Sequence, residues 1–165
     1  MKPISLAAAL PIMLLASCAA PTAGSRVSDA EPGTVAYDRD VFQTLLGNHA
    51  LIRREVREVP NGVETVTESD NAEVAELIQD HVAAMKVRVE NGYRLRQWDP
   101  MFVAVFDHAE KIRIEFVKTA HGMSVREVSD DPYVARLIQA HARMVSGFAA
   151  RGIEESKLAH EPPAR

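Results

Sequence analysis

Apolar residues recur at three- and four-residue intervals along Val74, Leu77, Ile78, Val82 and Met85, and again along Val134, Leu137, Ile138, Val145 and Phe148. That spacing predicts two amphipathic helices. On each stripe a histidine, His81 or His141, takes an apolar position. Both helices carry the phrase Val-Ala-X-Leu-Ile-Gln-X-His, 60 residues apart. Sliding the chain by that offset also matches Gly62 to Gly122, Ser69 to Ser129, Asp70 to Asp130 and Gly92 to Gly152. From Ile52 to Gly92, 13 of 41 positions are identical without a gap. The folded part is therefore a duplicated unit.

Each unit opens with a shorter apolar stripe. Asp40 as N-cap precedes Val41, Phe42, Leu45 and Leu46, and Asp99-Pro100 is a stronger start before Phe102, Val105 and Phe106. His49 and His108 each lie nine residues after that aspartate, which suggests a second shared histidine at a looser offset of 59. A hairpin follows in each unit, turning at Asn61-Gly62 or His121-Gly122; Asn-Gly favours a type I′ turn. One face of the second hairpin then collects Ile112, Ile114, Phe116, Met123 and Val125, wholly apolar, whereas the first collects Ile52, Arg54, Val56, Val63 and Thr65. A rival reading continues the first helix through residues 51–59. The hairpin is preferred, because the second copy alternates cleanly and β-branched residues flank the turn. Ser69-Asp70-Asn71 and Ser129-Asp130-Asp131-Pro132 supply capping side chains for the long helices, and Gly92 and Gly152 end them. The expected fold is α+β: a duplicated αββα unit whose hairpins join into a four-stranded antiparallel sheet, packed with helices about a pseudo-two-fold axis.

Composition adds an address. With 165 residues, 47% of them hydrophobic, the chain can bury one compact core. The net charge is −4 and basic residues are scattered, which gives nucleic-acid binding no support. Met1-Lys2 and the apolar run Ile4–Leu15 read as a signal segment, too short to span a bilayer and interrupted by Pro11. Leu15-Ala16-Ser17-Cys18 follows, and Cys18 is the single cysteine. That tetrapeptide resembles the lipobox of bacterial lipoproteins, which implies a signal peptide over 1–17, a lipidated Cys18 and, with Ala19 next, an outer-membrane anchor facing the periplasm. Several acyl chains would hold it firmly where one would not. Residues 18–36 read as a flexible tether, 37–152 as one domain of two repeats (37–92 and 96–152), and 153–165 as a polar tail that frays.

The candidate chemistry is histidine and methionine. A pseudo-two-fold axis could gather His49, His81, His108 and His141, with Met85 four residues after His81 and Met144 three after His141. Imidazole and thioether together suit copper, ahead of zinc or haem. Against that, a histidine on an apolar stripe is more often a hydrogen-bonded core residue, and methionine a core filler. His121 and His160 read as solvated, Trp98 as a staple between the units, and the carboxylates near Asp70 and Asp130 as caps. The recurrence of Gln79 and Gln139 has no evident reason in sequence. No nucleophile elbow, phosphate loop, CxxC or CxxCH occurs, which argues against the better-marked enzyme classes. The SDDP and LIQAH phrases in a duplicated pattern resemble a family of small tandem-repeat secreted proteins of Gram-negative bacteria, a likeness that covers Asp40 to Gly152 and implies no activity, ligand or site residue. The expected function is a non-enzymatic, membrane-anchored periplasmic binding module for copper or haem between its repeats. The alternative is a ligand-free structural or interaction lipoprotein with an envelope protein partner.

Overall fold

The computed structural model describes residues 30–165, so Cys18 and most of the tether lie outside the described residues. The first helix, α1 (Val35–Gly47), begins earlier than Asp40: the Thr34 hydroxyl accepts from the Tyr37 N–H at 3.2 Å and so supplies the cap. A 3-10 turn (His49–Leu51) leads into β1 (Arg53–Val59), which settles 51–59 as mainly strand, and β2 (Gly62–Glu68) returns. Then come α2 (Ala72–Asn91), α3 (Pro100–Asp107), a second 3-10 turn (Ala109–Lys111), β3 (Arg113–Thr119), β4 (Gly122–Val128), α4 (Pro132–Arg151) and the single turn α5 (Ile153–Ser156).

The two copies keep an offset of 60 throughout, including α1 and α3, whose buried Val41, Leu45 and Leu46 correspond to Met101, Val105 and Phe106. The looser pairing of Asp40 with Asp99 and of His49 with His108 is therefore not a structural equivalence. Asn48 is the counterpart of His108, each following its helix as C-cap. Asp99 and Pro100 do start α3 as expected, with the Asp99 carboxylate accepting from the Met101 N–H at 3.2 Å.

Val59 pairs with Gly62, which puts the hairpin turn at Pro60–Asn61 rather than one residue later. A type I′ turn is excluded, since the proline ring fixes a negative φ and Asn61 has no positive one. Moving both turn residues by one preserves parity, so the inward face is the expected one.

The sheet order is β1-β2-β4-β3, antiparallel throughout, with Thr65 opposite Val125 at the centre of the β2–β4 pair. The pseudo-two-fold axis passes there. The long helices exchange partners across it, α2 packing on β4 and α4 on β1 and β2. Val41, Leu45, Val74 and Ile78 thus share a core with Met123 and Val125, while Val63 packs with Val134 and Ile138.

Three pairs of repeated residues hold this exchange. The Ser69 N–H donates to the His121 carbonyl and the Ser129 N–H to the Asn61 carbonyl, both at 2.9 Å. Gln79 donates through Nε2 to the Thr119 carbonyl at 3.2 Å, and Gln139 to the Val59 carbonyl at 2.9 Å. Each glutamine therefore satisfies a carbonyl at the other copy's turn, which accounts for its recurrence. Gly62 and Gly122 lie against the opposite copy's backbone: a Cβ on them would stand 2.0 Å from the Glu127 carbonyl oxygen and 2.1 Å from that of Thr67.

The other face of the sheet carries a charged row, Arg57–Glu64–Arg126–Glu115, alternating in sign across all four strands. Such a face is stable in water.

Candidate functional site

His81 and His141 occupy equivalent places on α2 and α4, and each meets a phenylalanine from the first helix of its own copy. Phe42 stacks on His81 with centroids 5.6 Å apart, and Phe102 meets His141 edge-on at 5.8 Å. Both residues are half-buried, but His81 Nδ1 is sealed from solvent and has no hydrogen-bond partner. An unpaired buried imidazole nitrogen is costly unless something fills its lone pair. Burial pushes both imidazoles down to about 4, so both are neutral at ordinary pH. The two rings feel each other: a charge on His81 lowers His141 further, as does the Arg54 guanidinium, while Asp99 acts in the opposite sense.

The other four sequence candidates go elsewhere. The imidazole of His49 lies 3.3 Å from the Ala149 carbonyl through Nδ1. His108 faces Tyr133 and places Nδ1 2.9 Å from the carbonyl of Ala104, one turn back. Met144 is buried with Leu46, Met101, Leu137 and Phe148. Met85 is half-buried on α2, one turn beyond His81. Among the described residues no group of three or more His, Cys, Asp or Glu is placed to hold a metal ion. Of the six, only His81 and His141 stand at equivalent positions of the two copies with the same lowered titration.

Three polar features escaped the sequence reading. In the first copy Asp38 of α1 and Arg88 of α2 form a buried ion pair, with side chains 5% and 8% exposed. At the sheet's inward face Arg54 reaches the Thr67 hydroxyl at 2.5 Å, and burial lowers its guanidinium and raises the carboxyl of Glu127. In the second copy the tail does not fray. His160 is folded in, Nδ1 2.8 Å from Asp99 and Nε2 3.2 Å from Glu155, and its ring meets Phe148 edge-on at 5.9 Å. Burial pushes Asp99 up, but the donors of His160, Arg96 and two backbone N–H groups outweigh it and hold the carboxyl low. Glu155 is likewise held low against burial by Arg151 and His160. With both ring nitrogens of His160 facing carboxylates, no lone pair is turned toward a substrate, and the network reads as a clamp on the tail.

Asn71 and Asp131 cap the long helices, whereas Asp70 and Asp130 form bidentate pairs with Arg53 and Arg113. Trp98 is no staple: it is 56% exposed, with the Arg96 guanidinium 4.3 Å over its ring. No protein-family model matches the chain, and neither a curated protein nor a solved structure does.

Proposed function

We propose that the chain is a non-enzymatic binding module of the bacterial envelope, lipid-anchored through Cys18 at the periplasmic face of the outer membrane, that holds a single Cu(I) ion between its copies with His81 and His141. The observation that supports it is the sealed, unpartnered Nδ1 of His81, together with a second neutral imidazole at the equivalent position of the other copy whose titration His81 influences. Two nitrogens fall short of the four ligands zinc takes, whereas Cu(I) accepts two in line. The Arg54 charge felt by His141 also disfavours a divalent ion more than a monovalent one. Anaerobic dialysis against Cu(I) should load one ion per chain, and His81→Gln or His141→Gln should each abolish loading because the site is shared. Loading unaffected by either substitution contradicts the proposal.

A second reading keeps both histidines as core residues in an interaction lipoprotein. The Phe42–His81 and Phe102–His141 contacts favour it, since ring packing alone gives each histidine a structural role. Under either reading Cys18→Ala should release the protein from the membrane fraction.

A further inference from the structure

The copies differ in chemistry on the outer side of their first helices. Along α1 the outer side carries Asp40 and Gln43, Thr44 is buried beside them, and Asp38 turns inward to Arg88. The equivalent residues of the second copy are Pro100, Val103, Ala104 and Trp98. Glu73, at the start of α2, is likewise replaced by Tyr133 at the start of α4. The result is a shallow groove of about 330 Å³ with Trp98, Pro100, Val103 and Tyr133 in its lining. A helix apolar on both sides with only one side covered leaves a face suited to a partner, and tryptophan, tyrosine and arginine are the residues that anchor protein contacts.

Charge at the rim narrows the partner. Arg136 and Arg165 stand over Tyr133, their guanidinium carbons 5.8 and 5.5 Å from the ring centroid. Among the described residues neither has a carboxylate within ion-pair distance. Arg136 donates to backbone carbonyls, to Pro132 at 3.1 Å and to Ala164 at 3.4 Å. In a chain of net charge −4, two guanidiniums without carboxylate partners beside an aromatic groove favour an anionic, aromatic ligand. We infer that the groove between Trp98 and Tyr133 is a docking site for an acidic protein segment bearing aromatic side chains, which inserts a ring beside Trp98 and sets its carboxylates against Arg136 and Arg165. The site belongs to the second copy alone and does not depend on the histidine pair.

Trp98 is the single tryptophan of the chain, so its emission reports the groove directly. An acetylated hexapeptide of alternating aspartate and phenylalanine, titrated into the full chain, should quench or shift that emission saturably below about 1 mM. The same peptide with lysine for aspartate should bind at least about tenfold more weakly, and added salt should weaken the acidic peptide. Arg136→Glu with Arg165→Glu, both exposed changes, should abolish binding while the far-UV circular dichroism stays unchanged; Val103→Asp should do so independently of the rim charges. Emission unmoved by the acidic peptide, equal response to both peptides, or undiminished binding by the double variant overturns the inference. So does a shift caused only by anionic phosphatidylglycerol vesicles, which would make the rim a membrane contact instead.

Discussion

The first copy ties its two helices with charge, and the second does so with rings. Asp38 and Arg88 meet as a buried ion pair between α1 and α2. Sixty residues on, the same places hold Trp98 and Phe148, and the guanidinium between them comes from Arg96, 4.3 Å over one ring and 5.5 Å from the other. The second copy thereby exposes an aromatic side chain and ties in the tail through Asp99, His160 and Glu155. Positions that reach across the axis have not diverged in this way: Gly62 and Gly122, Ser69 and Ser129, and Gln79 and Gln139 each contact the opposite copy's backbone. The exchanged helices constrain both copies at once, whereas the flanks of α1 and α3 are free to differ.

The largest effect that separates the copies lies at the ion pair. Arg88→Ala should cost about 3–5 kcal/mol by stranding the Asp38 carboxylate, whereas Asp38→Leu with Arg88→Met should recover most of it, since an apolar pair leaves no charge stranded. Chemical denaturation of both variants measures the difference; a double variant as unstable as the single one would mean the charges are required.

Next come the shared glycines. Gly62→Ala and Gly122→Ala force a Cβ onto a carbonyl oxygen at 2.0 and 2.1 Å, and each should cost about 2–3 kcal/mol. Equal losses in melting temperature confirm that the axis relates the two approaches, while tolerance at one site alone breaks the symmetry.

The histidines should show the same equality in their pH dependence. Burial holds His81 and His141 at about 4 against an ordinary 6.5, so the unfolded chain takes up protons first as pH falls. Stability is therefore full above about pH 6.5 and declines toward pH 4, by about 1–2 kcal/mol for each half-buried histidine. His81→Gln and His141→Gln should each remove about half of that slope in melts between those pH values. Asp99 and Glu155, held low in the fold, add a further loss only as pH falls below the ordinary carboxylate range.

Much of this was legible in the chain. The repeat, the strand alternation and the Asp99-Pro100 start are local signals, and they led to the α+β sheet with helices on one face. Thr34 was missed as a cap because Asp40 offered a stronger-looking one inside the helix. What lay beyond reach depends on tertiary placement: that α2 covers β4 rather than its own strands, that Arg88 finds Asp38 fifty residues away, and that His160 returns to Asp99. Gln79 and Gln139 announced themselves by recurring, but only the exchange of helices gives them a carbonyl to cap.

The smallest stability effect tests that exchange. Gln139→Ala should cost about 1 kcal/mol, the worth of a half-buried hydrogen bond, and should raise amide exchange at the turn of the first hairpin, not the second. Gln79→Ala should do the converse. Protection lost at a variant's own turn would put each helix over its own strands.

The shared site is tested most directly by thermal melting of the full chain with and without Cu(I) under anaerobic reducing conditions. The account predicts a rise of several degrees at saturating Cu(I) for the wild type, none with Zn(II), and none with either His81→Gln or His141→Gln. Because both imidazoles stay neutral down to about pH 4, the rise should persist at pH 5, where ordinary histidines are protonated. A wild-type melting curve left unmoved by Cu(I), or moved equally in the His81→Gln variant, contradicts a copper site between the copies.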